Sequence, residues 1–405
     1  MKILIYGGSF NPPHIGHVHA LRVTAEALRP DRIMLIPASL PPHKELDENS
    51  ASVRDRLAMT EQAAREIPGA EVLDIEMRRP GKSYTSDTLR QLNALFPDDE
   101  LIFLVGTDML LTLDTWHEPE VIMSLAHIAV FAREHDRTDD IIAKRDELRR
   151  RYGAEIYIIS GEPVEVSSTV LREGLARREC RELVPAGVYE HIIRNRLYNA
   201  RPDYEWMREK AYSYLKAKRV KHVRGVEQEA RKLAERWGLD EDDAAEAAIC
   251  HDITKKLDLT EQLRLCAQYG IVPDSFEQVS EKLLHAKTGA AFSQALFGLS
   301  DAAAAAIRWH TTGRAGMDEL QKAIYLADYI EPGREGFAGL AELRRAAYED
   351  LDAAMELGMR MTIQEVRDKG NPVHPDTDKG HADVLARMLE KGLTPIHVDG
   401  VPDSV

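Results

Sequence analysis

The stretch ILIYGGSFNPPHIGHVHA, residues 3–20, decides the fold of the first half of this chain. Its opening is a short apolar run that ends on Gly7 and Gly8, the pattern of a buried strand running into a turn. A helix is predicted to begin near His14. Glycines after a first strand let backbone N–H groups come close to a phosphate. The helix N-terminus adds partial positive charge. His14 and His17 are three residues apart, so a helix places both imidazoles on one face. A lone His-x-x-His would be a tight turn with two surface histidines. With GGSFNPP in front of it, the pair reads as a cradle for a polyphosphate.

Outward from this stretch, apolar runs alternate with helical patterns. KILIYGG, RIMLIPA, LIFLVGTD, IAVFAR and EIYIIS read as strands, and HVHALRVTAEAL and SVRDRLAMTEQAARE as helices between them. Such alternation predicts an α/β, Rossmann-like domain with a parallel sheet and helices on both faces. Ligands of such sheets bind at the carboxyl ends of the strands. The grammar changes at LYNARPD, residues 197–203. From there to residue 392 helical periodicity dominates, as in VEQEARKLAERWG and AKTGAAFSQALFG, and no alternating strand is evident. The expected organisation is therefore an α/β domain over 1–198, an all-α domain over 199–392, and a loosely held tail over 393–405.

The 405 residues suffice for two domains. With 53 basic and 68 acidic residues the formal charge is −15, a poor balance for wrapping nucleic acid. Small anionic substrates are still accommodated where helix ends, local basic groups or metals gather. No apolar run reaches the roughly 18 residues of a bilayer span, and the N-terminus lacks the long apolar core of a signal peptide. A cytoplasmic protein without a membrane partner is expected. Cys180, Cys250 and Cys266 form no Cys-x-x-Cys pair, so neither a disulfide frame nor a thiolate zinc site is indicated. Cys250 is expected in the core.

GGSFNPPHIGH resembles the HxGH nucleotidyltransferase superfamily. Together with PPHK at 41–44, SYTSDTL at 83–89, VGTDML at 105–110, Trp116, VFAR at 130–133 and VSSTVLR at 166–172, it is similar to bacterial nicotinate-nucleotide adenylyltransferases over nearly all of residues 1–196. Val166 stands where that family usually has isoleucine. The resemblance implies that Gly8, Ser9 and Phe10 floor the nucleotide sites and that His14, His17 and Lys44 contact ATP phosphates. Gly106 and Asp108 would hold the ribose. Ser168, Thr169 and Arg172 would bind the β- and γ-phosphates. Thr85 and Trp116 would receive the nicotinate, and Arg133 would sit on the adenine or the mononucleotide side. The implied substrates are ATP, with Mg²⁺, and nicotinate mononucleotide. Nicotinamide mononucleotide and phosphopantetheine are the alternatives, and PPHK, SYTSDTL and VSSTVLR favour the nicotinate branch.

The helical half carries a second series. His222, His251-Asp252, His285, His310 and Asp328 each fall within or at the end of an apolar helical pattern. Imidazole and carboxylate together suit a divalent transition metal, and four histidines with two aspartates suffice for two ions. The ordered series resembles the HD-domain phosphohydrolases. CHDITKK, LLHAKTGA, IRWHTTGR and YLADYIEPGR are similar to the bacterial HD hydrolase that splits diadenosine tetraphosphate into two ADP. That resemblance implies one metal on His222, His251, Asp252 and Asp328, and another on His285 and His310 with Asp252 bridging. Lys255 would contact substrate phosphate, assisted by Thr311 and Arg314. Iron is the metal the resemblance implies, while the ligand set also fits Mn²⁺, Co²⁺ and Zn²⁺. A non-catalytic nucleotide sensor or dimerisation module is the competing reading of this half, and a homo-oligomer stays open. His374, His381 and His397 receive surface positions by default.

Overall fold

The computed structural model describes residues 1–41, 49–133, 138–162 and 164–402. The chain divides into two compact units, Met1–Asp203 and Tyr204–Val405. Among the described residues the first unit holds six strands, all parallel: β1 (Lys2–Gly8), β2 (Arg32–Pro37), β3 (Ala70–Val72), β4 (Glu100–Gly106), β5 (His127–Arg133) and β6 (Ile156–Gly161). Their order across the sheet is β3-β2-β1-β4-β5-β6. The helices between them are α1 (Ile15–Leu28), α2 (Val53–Ala64), α3 (Thr85–Leu95), α4 (Thr107–Thr112), α5 (Pro119–Leu125) and α6 (Thr138–Tyr152), and α7 (Ser168–Ala176) and α8 (Ala186–Arg194) follow β6. Five of the six strands are the predicted ones. The sixth, β3, adds an edge strand of three residues, paired to β2 from Ile33 to Leu35. Ile3, Leu4 and Ile5 of β1 and Ile102 of β4 are fully buried, as central strands covered on both faces must be. Sheet order reverses between β1 and β4, and that switch point opens a crevice at the strands' carboxyl ends.

The second unit is helical. It comprises α9 (Tyr204–Ser213), α10 (Ala217–Trp237), α11 (Glu241–Cys250), α12 (Leu259–Tyr269), α13 (Glu281–Phe297), α14 (Asp301–Trp309), α15 (Glu319–Ile330), α16 (Leu340–Glu349), α17 (Leu351–Asp368) and α18 (Pro375–Glu390). Helix α10 packs on α11 and α15, and α14 packs on α11, α13 and α15. Cys250 is fully buried. No helix among the described residues is long and apolar enough to cross a membrane.

Two expectations need correction here. The tail is not loose up to residue 402. Arg360 of α17, fully buried, donates Nη1 to the Pro402 carbonyl and Nη2 to the Ile396 carbonyl, both at 2.7 Å. Its Nε bonds Glu356 at 2.8 Å, and His381 reaches the same carboxylate at 3.2 Å. Val398, also in the tail, is buried. The second correction is that His374 and His381 are buried, not surface residues. Replacing Arg360 by alanine would leave the buried Glu356 side chain without its guanidinium partner, at a cost of about 3–5 kcal/mol. We expect Arg360→Ala to lower the denaturant midpoint of the second unit and to expose the tail to proteolysis; unchanged unfolding would contradict this role.

Candidate functional site

The first site grows from the end of β1. Gly7 and Gly8 close the strand, and Phe10 follows with φ of 45°, a left-handed conformation that a bulky residue adopts only when its surroundings impose it. Those surroundings are identifiable. The Phe10 ring is buried beneath Gly8 and lies edge-on to His17, with centroids 5.3 Å apart. Arg56 of α2, fully buried, donates to the carbonyls of Ser9 at 3.0 Å, of Ser39 at 2.8 Å, and of Ala38. It ties the loop after β1 to the loop after β2. Arg172 of α7 holds the Asn11 carbonyl at 3.0 Å, and Tyr198 donates to the Asn11 side chain at 2.7 Å.

His14 is the N-cap of α1. Its backbone N–H donates to His17 Nδ1 at 3.1 Å. An acceptor at Nδ1 requires the imidazole hydrogen on Nε2, so His17 is a neutral N–H donor. The two rings lie 3.7 Å apart at 32°. Gly16 makes this stacking feasible, because a Cβ there would stand 3.0 Å from His14 Nδ1 and 3.2 Å from the Val164 carbonyl. Burial pushes His14 down to about 4, and burial together with His14 holds His17 well below the ordinary histidine range. Both are therefore uncharged at neutral pH. This sets a pH dependence. Between about 6.5 and about 4 the unfolded His14 takes a proton that the folded one refuses, so stability is full above 6.5 and falls through this window. A displacement of this size corresponds to a loss of about 3 kcal/mol at its lower end. Melting of the first unit should fall less steeply with acid in His14→Asn, which keeps a capping side chain; an identical slope would contradict the assignment.

A cavity of about 420 Å³ opens at the switch point. Gly8, Ser9, His17, Thr85, Gly106 and Trp116 line it, six of the residues singled out from sequence, with Phe103 forming the wall that meets Trp116 edge-on. Asp108 is exposed in the first turn of α4, outside this lining. Ser168 and Thr169 open α7. Lys44 lies outside the described residues, and only the backbone of Arg133 is described. Arg56 and Glu76 were not anticipated. Glu76 lines the cavity, is buried, accepts from Thr88 at 2.6 Å, and burial raises its carboxyl.

The second site lies among α10, α11, α13, α14 and α15. Each histidine there has its Nδ1 already engaged. His251 Nδ1 faces the Ala248 carbonyl at 2.7 Å, His285 the Lys282 carbonyl at 2.8 Å, and His310 the Ile307 carbonyl at 2.7 Å. His222 Nδ1 faces Glu331 at 3.1 Å. Carbonyl and carboxylate oxygens accept, so the hydrogen sits on Nδ1 and every Nε2 presents a lone pair. These lone pairs converge with the carboxylates in two groups, His222–His251–Asp328 and Asp252–His285–His310. His222 Nε2 stands 2.8 Å from Asp328, and His251 Nε2 3.3 Å from Asp252. Yet His222 Nε2 and His251 Nε2 are buried and make no hydrogen bond, and the buried Asp252 Oδ1 has only the Lys255 ammonium, 3.0 Å away, as its counter-charge. Buried polar atoms without hydrogen bonds, aimed at common points, are the donor set of divalent metals.

Burial alone would raise the Asp252 and Asp328 carboxyls, but His251 and His285 beside the first, and His222 beside the second, hold both well below the carboxylate range. Burial lowers His285, and burial with His285 and His251 lowers His310. Lys255 reaches Asp252 at 3.0 Å, and Thr311 reaches His310 at 3.2 Å. Arg314 instead lies over the Trp309 ring and bonds Gln321 at 3.4 Å, away from the ligand atoms. Three neighbours escaped the sequence reading: Arg219, bonded to Asp252; Arg334, 3.1 Å from Asp328; and Glu331, which orients His222. Gly225, in the middle of α10, was the available signal for Glu331. A Cβ there would collide with its carboxylate. A cavity of about 870 Å³ leads to His285, His310 and Asp328, with Lys255, Lys282, Arg334 and Lys369 on its walls.

A cytidylyltransferase-like family model matches residues 5–174, and an HD-domain model matches residues 219–333. The chain is thus a nucleotidyltransferase fold followed by a helical region with an HD domain. It is 35% identical to a probable nicotinate-nucleotide adenylyltransferase of Geobacter sulfurreducens, over 49% of this chain and 98% of the relative. It is 38% identical to one of Aeromonas salmonicida, over 48% of this chain and 96% of the relative. Through its first half, the chain belongs to the nicotinate-nucleotide adenylyltransferase family. A solved structure from Clostridium acetobutylicum, described as a "predicted HD superfamily hydrolase involved in NAD metabolism", is 35% identical, covering 46% of this chain and all of that one, with a TM-score of 0.45.

Proposed function

We propose that this is a bifunctional enzyme: its first unit transfers AMP from ATP to nicotinate mononucleotide, and its second hydrolyses diadenosine tetraphosphate to two ADP. Family membership and the switch-point cavity support the first activity. The observation that carries the second is the set of four histidines with Nδ1 engaged and Nε2 converging on two aspartates. A sensor or dimerisation module has no need of such a donor set.

In adenylyl transfer the mononucleotide's 5′-phosphate oxygen attacks the α-phosphorus of ATP, the α–β bridging bond breaks, and pyrophosphate leaves. The attacking phosphate is already ionised near pH 7, so the site needs position and charge stabilisation more than a base. His17 supplies an N–H from Nε2 to the phosphate oxygens where charge gathers, and His14 extends that edge. Gly8 and Ser9 let the nucleotide approach the backbone, while Arg56 keeps that loop fixed. Lys44 and the start of α7, with Ser168, Thr169 and Arg172, would receive the β- and γ-phosphates. Gly106 and Asp108 would hold ribose, Thr85 and Trp116 the nicotinate, and Arg133 one of the two nucleotides. Mg²⁺ would accompany the polyphosphate, bound mostly by its oxygens and water.

In the second unit, His222, His251 and Asp328 would hold one divalent ion and Asp252, His285 and His310 another. Bound there, such ions make water nucleophilic at neutral pH and neutralise phosphate charge. Iron is the metal we favour. Glu331 keeps His222 in the ligating tautomer. Lys255, Lys282, Arg334 and Lys369 offset the four negative phosphates, which answers how a chain of charge −15 handles so anionic a substrate. Product analysis tests the reading. We expect deamido-NAD from ATP and nicotinate mononucleotide, and ADP alone from diadenosine tetraphosphate with metal. AMP plus ATP as the hydrolysis products, or a preference for nicotinamide mononucleotide, would overturn the corresponding half.

A further inference from the structure

We propose that a second cavity of the helical unit, lined by Phe276, Val279, Val366 and Val373, is the subsite for the second nucleoside of a dinucleoside polyphosphate. The inference rests on the hydrolase reading above. In symmetrical hydrolysis, water oxygen bonds to one of the two central phosphorus atoms. The bond from that phosphorus to the central bridging oxygen breaks. The second ADP departs with that oxygen, and with both new terminal phosphates ionised two protons are released. Because the broken bond is central, a nucleoside must be housed on each side of the metal ligands.

The structure offers two such spaces. The cavity of about 870 Å³ contains His285, His310 and Asp328 and has an apolar flank formed by Tyr329, Phe337 and Met361. The second, of about 560 Å³, contains none of the six ligands, yet it shares Lys282, Thr311, Thr362 and Lys369 with the first. These four shared residues set the two cavities side by side, and we read them as one cleft. Two ammonium groups stand at its junction, where a polyphosphate would cross, and Thr311 adjoins His310. Beyond the junction the lining turns apolar, and its side chains are not spent on the core: Val279 is 76% exposed, and Phe276, Val366 and Val373 are half-buried. A volume of this size, apolar with a few polar groups, is that of a small-ligand site.

The cleft also holds a fixed aromatic ring, that of Phe276. The Phe276 ring meets His374 with centroids 5.3 Å apart at 63°. His374 cannot swing, because its Nε2 is 3.0 Å from Asp274 and its Nδ1 accepts the Asp376 N–H at 3.1 Å. Asp274, Glu277 and His374 converge as metal ligands might, but the Lys287 ammonium lies 2.6 Å from Glu277 and already supplies the positive charge. We therefore assign this corner to stacking a base, a role every nucleobase face supports.

The test compares diadenosine tetraphosphate with adenosine tetraphosphate, which has one nucleoside, on the full chain loaded with Mn²⁺. Val373→Trp fills the subsite. Val279→Trp does so from an exposed position that folding tolerates. We expect the ratio of kcat/KM for the two-nucleoside substrate to that for the one-nucleoside substrate to fall at least tenfold in both variants, through KM for diadenosine tetraphosphate. An unchanged ratio in either folded variant would overturn the inference while leaving the hydrolase reading intact. Equal kcat/KM for both substrates in the wild type would do the same. A wild type that cleaves neither substrate would remove the hydrolase reading, and this inference with it.

Discussion

Asp252→Ala should abolish hydrolysis of diadenosine tetraphosphate while leaving deamido-NAD synthesis at the wild-type rate. Asp252 is fully buried and stands where the two ligand groups meet: Oδ1 is 3.2 Å from His285 and 3.8 Å from His310, and Oδ2 is 3.3 Å from His251. Alanine removes the anion on which both groups lean and frees Arg219 and Lys255 from their shared partner. Metal-based charge stabilisation supplies several kcal/mol. At about 1.4 kcal/mol per tenfold, the loss should be about 10³-fold or more. Bound metal per chain should fall with it, which separates loss of the centre from loss of a substrate contact. Asp252→Ala protein that keeps its full metal content and still turns over would contradict the assignment.

His17→Ala should do the reverse, stopping adenylyl transfer and sparing the hydrolase. Loss of one preorganised donor to developing charge costs about 2–4 kcal/mol, or roughly 10²–10³ in kcat. Because that hydrogen bond is made mainly in the transition state, KM for ATP should move much less than kcat. Alanine also deletes the Nδ1 acceptor that anchors the His14 N–H. His17→Asn, which offers an oxygen to the cap but no N–H in the Nε2 position, separates these roles. Asparagine should restore thermal stability and leave kcat low. Recovery of kcat in His17→Asn would mean that the residue only caps the helix.

Much of both sites could be read from residues close in sequence. The strand, the glycine turn and the two histidines all lie between Lys2 and His17, so local spacing carried their arrangement. The six metal-type ligands come from five helices, but each is announced by a polar residue set in an apolar pattern. What escaped depends on long-range packing. Arg56 sits in SVRDRLAMTEQ, where a charge looks like a solvated helix face; its three backbone acceptors come from two distant loops. Arg360 looks equally ordinary until the tail folds back over it. The strand β3 has three residues, too few for any period to register. His374 and His381 look like surface histidines because nothing near them in the chain reveals Asp274 or Glu356 as partners.

Whether one chain carries two independent phosphate chemistries is decided by assaying wild type, His17→Ala and Asp252→Ala side by side, each with ATP plus nicotinate mononucleotide and, separately, with diadenosine tetraphosphate plus metal. The predicted result is that each variant loses one activity and keeps the other. A wild type lacking either activity, or a variant that loses both while remaining folded, would contradict it.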